Sequence, residues 1–187
     1  MKFLIAGLGN IGSEYDGTRH NIGFDIVEAL AKEAGASFVL DRLAHYALAK
    51  YKGRQLHLIK PTTYMNLSGT AVRYWLQKLD IPKENALVVL DDVALPFGKL
   101  RMRASGNTGG HNGLKNIDLL LESNAYPRLR FGVGNDYPRG RQVEYVLGRW
   151  TEEQRKELPE LIKKCCEAVF GFTTIGLERA MNLYNTK

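Results

Sequence analysis

The chain has 187 residues, of which 44% are hydrophobic and 25% are charged, a balance that is typical of a folded globular domain and excludes a disordered or fibrous chain. Lys and Arg outnumber Asp and Glu by 26 to 20, which gives a formal charge of +6 and is compatible with a nucleic-acid partner without establishing one. No internal repeat and no Ser- or Pro-rich linker divides the sequence. We therefore predict one domain over residues 1–187.

The cysteines and the apolar runs bear on the cellular compartment. The only two cysteines, Cys165 and Cys166, are neighbours, which suits neither a metal site nor a structural disulfide and fits a reducing compartment such as the cytoplasm. No apolar run approaches the roughly 20 residues that cross a membrane. The apolar N-terminus is too short for a signal peptide and predicts a first strand instead.

Short apolar runs predict the strands of a sheet. They lie at residues 3–8, 56–59, 87–90 and 129–133, and a further run at 44–51 joins the second of these through a hairpin-like turn at 52–53. Because helical patterns separate most of these runs, we predict an α/β fold with a twisted, mixed and mainly parallel sheet packed between helices. The hairpin would supply one antiparallel edge.

The helical patterns have recognisable ends. Apolar residues repeat at helical spacing over 24–34 and 71–79, and Gly35 and Pro82 stand where these helices should stop. Near the C-terminus, Thr151 and Gln154 form a capping box before a long amphipathic stretch. Pro159 lies inside that stretch, where it is expected to kink or split the helix.

Residues 7–12 read GLGNIG, the glycine pattern of dinucleotide-binding folds. In those folds a helix opens directly on the glycines, so that its N-terminus faces the pyrophosphate. Here residues 13–21 lack helical periodicity, and the first helix is expected only near Ile22. We interpret the glycines as a tight turn that leaves the first strand or presents Asn10 to a ligand, and keep a dinucleotide-dependent oxidoreductase as an alternative.

Polar residues follow the predicted strands at their carboxyl ends, where ligands collect in sheets of this kind. They are Asn10, His20, Asn66, Asp91 and Asn112. A histidine can accept a proton near neutral pH, a carboxylate can fix its tautomer, and amides can polarise a carbonyl. No well-supported nucleophile is present, so the set predicts hydrolysis of an ester or similar acyl bond by water that His20 activates.

Each of these residues also has a structural interpretation. Asn66 and Asn112 precede glycine-containing helix starts and could be N-caps, and the Asp91-Asp92 pair could be an N-cap or a solvated turn. His111 could pack under the glycine-rich loop at 105–113, and that loop could gate a site.

Basic residues alternate with apolar ones in two segments. Lys99, Arg101 and Arg103 would share one face of a strand, and Arg128 and Arg130 repeat the pattern. Two such ladders suit the phosphates of RNA or DNA, although a solvated sheet face explains either one alone. The sequence contains no motif for reading bases.

Four sequence segments, taken together and in their order along the chain, form a specific combination of motifs. They are residues 7–10 (GLGN) with Tyr15 and 18–23 (TRHNIG), 60–69 (KPTTYMNLSG), 109–115 (GGHNGLK) and 128–134 (RLRFGVG). These segments resemble those of bacterial peptidyl-tRNA hydrolases, and the resemblance covers nearly the whole chain. It implies a monomeric, cytoplasmic, single-domain α/β enzyme that cleaves the ester between a peptide and the 3′ ribose of its tRNA, with no metal, cofactor or membrane involved.

The resemblance also implies residue roles. His20 matches the base that activates water, Asp91 the acid that keeps it basic, and Asn10 the residue that distinguishes N-blocked from free aminoacyl groups. The residues that match the substrate cleft are Tyr15, Tyr64, Met65, Asn66, His111 and Asn112, and those that match the contacts to acceptor-stem phosphates are Arg101, Arg103 and Arg130.

The sequence departs from the family pattern in places. Ile11 replaces a usual Pro, and two arginines stand at 101 and 103 where lysines are frequent. Asp92 follows Asp91 where Glu is common, which leaves open which acid meets His20. Residues 135–140 match nothing in the family pattern. A catalytically silent RNA-binding relative of the same fold is the second alternative.

Overall fold

The computed structural model describes residues 1–186 and contains one seven-stranded sheet. The strands are Lys2–Gly7 (β1), Val39–Asp41 (β2), Ala44–Tyr51 (β3), Arg54–Pro61 (β4), Ala86–Asp92 (β5), Leu100–Arg103 (β6) and Arg128–Gly132 (β7), in the spatial order β2-β3-β4-β1-β5-β7-β6. Strands β4, β1, β5 and β7 are parallel, while β2, β3 and β6 are antiparallel to their neighbours.

The mixed, mainly parallel sheet and its hairpin are therefore confirmed. The prediction of a single antiparallel edge was incomplete, because β6 makes a second one against β7. Strand β2 was not predicted, since it has only three residues and its apolar side chains, Val39 and Leu40, are exposed.

Helices cover both faces of the sheet. They are Ile22–Glu33 (α1), Ser68–Leu79 (α2), Asn112–Leu121 (α3), Gln142–Val146 (α4), Glu152–Ile175 (α5) and Leu177–Tyr184 (α6). Residues of α1, α5 and α6 share one apolar core with the sheet, and α2 and α3 form a second core on the opposite face. Among residues 1–186 no helix is both long and apolar enough to cross a membrane.

The longest helix begins as predicted and continues further than expected. Thr151 and Gln154 form the reciprocal capping box at the start of α5. Pro159 does not split the helix, which is unbroken over its 24 residues. Proline removes the bond that its N–H would make to the carbonyl of Arg155, and both residues are exposed, so water can satisfy that carbonyl.

The glycines at the end of β1 permit close packing of α1. A Cβ on Gly7 would lie 2.2 Å from the carbonyl oxygen of Gly23, and a Cβ on Gly23 would lie 2.5 Å from that of Val89. A short 3-10 turn, Ser13–Tyr15, follows the glycines, and α1 begins at Ile22. These glycines serve close packing against α1, and residues 8–11 form an irregular segment instead of a turn. Among the described residues no α-helix opens directly on residues 7–12, as a dinucleotide site would require.

Candidate active site

A histidine and a buried aspartate meet at the carboxyl end of β5. His20 lies in the 3-10 turn Arg19–Asn21 before α1, and Asp91 lies on β5. The Nδ1 atom of His20 is 2.8 Å from Oδ2 of Asp91, whose side chain is only 3% exposed. An ionised Asp91 makes Nδ1 the donor, so Nε2 carries the lone pair. Within residues 1–186 Nε2 makes no hydrogen bond, which leaves it available to accept a proton.

A second histidine holds the other oxygen of the same carboxylate. His111 Nε2 lies 2.9 Å from Asp91 Oδ1, while its Nδ1 accepts the backbone N–H groups of Gly113 and Leu114 at the start of α3. Because Nδ1 is an acceptor, Nε2 must carry the proton and donate it to Asp91. His111 therefore orients the carboxylate, and neither of its ring nitrogens is free for another partner.

His20 and Asp91 shift each other's pKa values, and His111 contributes to the shift of Asp91. Burial by itself would raise the pKa of Asp91, but the charges and hydrogen bonds of His20 and His111 outweigh it and hold that pKa well below its usual value. Burial would lower the pKa of His20, and the opposing charge and hydrogen bond of Asp91 raise it above 6.5. Asp91 is therefore ionised at neutral pH, and the basicity of His20 is increased.

Asn10 is fixed beside this pair by neighbours on two loops. Its Oδ1 accepts the N–H of Met65 at 2.7 Å. Its backbone N–H and C=O both bond the side chain of the buried Asn21. Tyr64, just before Met65, has φ 60° and ψ 160°, a strained conformation for a residue with a side chain. The Nδ2 hydrogens of Asn10 make no hydrogen bond within residues 1–186, so they can donate to a ligand.

A cavity of about 300 Å³ opens in front of these groups. The predicted site residues that line it are Asn10, His20, Met65, Asn66, Asp91, His111, Asn112 and Arg130. Four other predicted residues, Tyr15, Tyr64, Arg101 and Arg103, are not part of its lining. The structure thus brings most of the predicted set together at one rim of the sheet.

Two N-cap interpretations were wrong. The cap of α3 is His111 rather than Asn112, and Asn66 lies within the 3-10 turn Met65–Leu67 with no side chain capping α2. The choice between the two acids is also resolved geometrically. Asp92 accepts the N–H of Ala94 and lies 3.5 Å from Arg130, so Asp91 is the acid in contact with His20.

The predicted basic ladders behave differently from each other. Arg101 and Arg103 are exposed while Leu100 and Met102 are buried, as the alternation predicted. The ladder on β7 was wrong at Arg128, which is fully buried. Its guanidinium donates to carbonyl oxygens of Asn124, Tyr126 and Gly106, because the loops that contain these residues cover that face of β7.

Arg130 links the cavity to the exposed arginines. It donates to the carbonyl oxygen of Asn107 at 2.6 Å, lines the cavity, and pairs with Arg101 across the sheet. We call Arg101, Arg103 and Arg130 the basic edge.

Comparison with known proteins agrees with this architecture. The family model described as peptidyl-tRNA hydrolase matches residues 4–187. The chain belongs to the peptidyl-tRNA hydrolase family. It is 59% identical over 187 residues to the peptidyl-tRNA hydrolase of Cytophaga hutchinsonii, covering 100% of both chains, and 43% identical over 186 residues to that of Caldanaerobacter subterraneus, covering 98% and 99%. The crystal structure of the Acinetobacter baumannii peptidyl-tRNA hydrolase matches with a TM-score of 0.93 and 33% identity, over 98% of this chain and 94% of that one.

The motifs that suggested the peptidyl-tRNA hydrolase family missed two groups of site residues. Asn21 lies within a quoted motif, next to His20, and its position there was the available signal. Gln142, Val143, Val146 and Leu147 come from α4 and the residue after it and line the cavity. They follow a segment that departs from the family pattern, and no local pattern connects this short helix to a site over 120 residues away in sequence.

The donor set could in principle bind a metal, since ligand atoms of His20, Asp91 and His111 lie within 4.8 Å of one another. Their hydrogen bonds oppose this. His111 Nδ1 already accepts backbone N–H groups, so its Nε2 would have to lose its proton before it could ligate. The arrangement fits an imidazole base held by a carboxylate better than a metal centre.

Proposed function

We propose that this member of the family hydrolyses the ester between a peptide, or an N-blocked aminoacyl group, and the 3′ ribose of tRNA, and thereby returns tRNA to translation. The observation that carries the mechanism is the contact between His20 and buried Asp91, with Nε2 free at the cavity. The family membership supplies the substrate.

Proton transfer through His20 accounts for the chemistry. Nε2 takes a proton from water as the water oxygen attacks the ester carbonyl, whose π electrons move to oxygen. The resulting imidazolium is stabilised by Asp91. When the tetrahedral intermediate collapses, the bond to the ribose 3′ oxygen breaks, and that oxygen takes the proton back from His20. The products are a free carboxylic acid and tRNA.

Amide groups surround the position of the developing negative charge. Asn10, Asn66 and Asn112 line the cavity with His20, and their N–H groups or a nearby backbone N–H can donate to the oxyanion. The Nδ2 hydrogens of Asn10 have no partner among the described residues, which suits the carbonyl of a peptide bond. A free aminoacyl group has no such carbonyl, and its ammonium would meet a donor, so Asn10 favours N-blocked substrates.

The basic edge can hold the nucleic-acid part of the substrate. Arg101 and Arg103 are exposed, and Arg130 reaches from the same sheet face into the cavity. Arginines bind phosphates through paired donors, so tRNA phosphates placed along this edge would bring the 3′ end towards His20. We assign Tyr15 and Tyr64, which lie outside the cavity lining, to the outer part of the substrate path.

We also propose that the enzyme acts in the cytoplasm as a monomer. Both cysteines are free and buried in α5, which suits a reducing compartment. Light scattering on the purified protein with and without tRNA tests the monomeric state, and a dimer mass in both would contradict it.

A cleavage assay tests the proposed activity. N-acetylated aminoacyl-tRNA and the same tRNA with a free amino group are incubated with the protein, and released tRNA is measured. We expect rapid cleavage of the first substrate and little of the second. Binding of both without cleavage of either would favour a silent RNA-binding relative and reject the proposal.

A further inference from the structure

A buried arginine stands directly before the catalytic histidine in the sequence. Arg19 is only 7% exposed, and among the described residues no carboxylate forms an ion pair with it. Its guanidinium carbon lies 4.2 Å from the ring centroid of Tyr145 and 5.7 Å from that of Trp150. A buried charge without a counter-ion is costly, and aromatic faces offset only part of that cost. The mechanism above makes no use of this side chain.

The hydrogen bonds of Arg19 join three elements. Nη1 donates to the carbonyl oxygen of Tyr145 at 3.1 Å, and Nη2 lies 3.4 Å from Oε1 of Gln154, part of the capping box of α5. Tyr145 belongs to α4, and its hydroxyl donates to the carbonyl oxygen of Val133 at 2.6 Å. One side chain therefore connects the turn that carries His20 to α4 and to the start of α5.

The contact with α4 matters because α4 forms a wall of the cavity. Val143, Val146 and Leu147 line the cavity that contains His20. Backbone bonds between the two regions lie beyond this helix, from Arg19 N–H to Gly148 O at 3.0 Å and at the bridge between Thr18 and Arg149. The Arg19 side chain is what reaches the last turn of α4 itself.

We propose that Arg19 is a positioning residue: through its contact with Tyr145 it fixes the apolar wall of α4 relative to His20, and so determines how tightly apolar acyl side chains of the substrate are bound. This inference rests on the proposed hydrolase activity. Planar stacking and a paired donor geometry are properties of arginine that lysine lacks, so we expect Arg19→Lys to behave like Arg19→Met.

Steady-state kinetics with two substrates test the proposal. N-acetyl-leucyl-tRNA presents a large apolar side chain to the wall, and N-acetyl-glycyl-tRNA presents none. We expect Arg19→Met to raise KM for the leucyl substrate roughly tenfold and to change KM for the glycyl substrate little. The pH midpoint of kcat should stay at the parent value, because the contact between Asp91 and His20 is untouched.

Arg149→Met is the matched control. This neighbouring arginine is exposed and donates to the carbonyl oxygen of Asp16 rather than to α4, so the leucyl-to-glycyl ratio of KM should not change. Tyr145→Leu and Tyr145→Phe provide a second route that does not depend on folding of the Arg19 variants. Leucine removes the ring but keeps the backbone carbonyl that Arg19 bonds, so it should change the ratio in the same direction as Arg19→Met and by less. Phenylalanine keeps the ring and should preserve the ratio.

The possible results separate this inference from the proposed function. Suppose that the parent protein cleaves both substrates and that folded Arg19→Met leaves the leucyl-to-glycyl ratio of KM unchanged. Arg19 then does not position the wall. If Arg19→Met does not fold, an unchanged ratio in Tyr145→Leu leads to the same conclusion. A proportionate loss on both substrates, or the same change in Arg149→Met, would likewise assign a general structural role and overturn it. If the parent protein cleaves neither substrate, the proposed function fails and takes this inference with it.

Discussion

The rim that we propose to be catalytic and the basic edge are two polar regions of the same sheet, and they are built on different physical principles. In the catalytic rim, formed by Asn10, His20, Asp91 and His111, hydrogen bonds to partners within the protein fix each group. In the basic edge, Arg101 and Arg103 face solvent. Buried hydrogen-bond networks fix geometry and pKa values, whereas exposed cations act over distance and are screened by salt. Changes in the rim should therefore alter kcat and its pH dependence, and changes at the edge should alter KM and its salt dependence.

Removal of the base should have the largest effect. His20→Ala eliminates the only rim group with a free proton-accepting nitrogen, and we expect kcat to fall by about 10²–10⁴. Filter binding of a tRNA substrate should be unchanged, because the basic edge remains intact. Turnover near the parent rate would contradict the assignment of His20.

Loss of the carboxylate should reduce the rate less and shift its pH dependence. The base must be neutral, so the parent rate rises with pH through the raised pKa of His20, above 6.5. Asp91→Asn removes the interaction that raises this pKa and leaves burial, which lowers it. We expect kcat to fall by about 10²-fold, the lower end of what general-base assistance contributes, and the midpoint of the pH profile to move to lower pH.

Asp92→Asn is the control for that experiment. Asp92 contacts Ala94 and Arg130 but not His20, so both the rate and the midpoint should stay close to the parent values. If Asp92→Asn moved the midpoint and Asp91→Asn did not, the roles of the two acids would be exchanged.

The basic edge should respond through binding alone. Arg101→Gln should raise KM severalfold and reduce the slope of log affinity against log salt by about 1, the contribution of one phosphate contact. The value of kcat should not change. A salt dependence identical to that of the parent would show that Arg101 does not contact a tRNA phosphate.

Chelation should have the smallest effect. If the rim works as a metal-free base, kcat should be unchanged after dialysis against a strong chelator, with a zinc hydrolase treated in parallel as a positive control. If the chelator abolishes activity and added metal restores it, a metal held by the rim activates the water instead of His20.

The rim could be predicted from the sequence because parallel strands bring their carboxyl ends to one edge of a sheet. This rule alone predicts that His20 lies near Asp91. The position of His111 on the second carboxylate oxygen could not, since it depends on the path of the glycine loop at 105–113. The burial of Arg128 could not be predicted from the sequence either. Alternation assigns a side chain to a face of the sheet, but contacts distant in sequence decide whether a loop covers that face.

The absence of a side chain at Gly23 allows the imidazole of His20 to reach Asp91. At Gly23 a methyl group would lie 2.5 Å from the backbone of Leu8 and of Val89, two residues before Asp91 on β5, so α1 would have to move away from the sheet. The turn that bears His20 leads directly into α1 and would move with it, stretching a 2.8 Å contact that tolerates only a few tenths of an ångström. The length of the hydrogen bond between His20 and Asp91 therefore depends on the absence of a Cβ atom at residue 23.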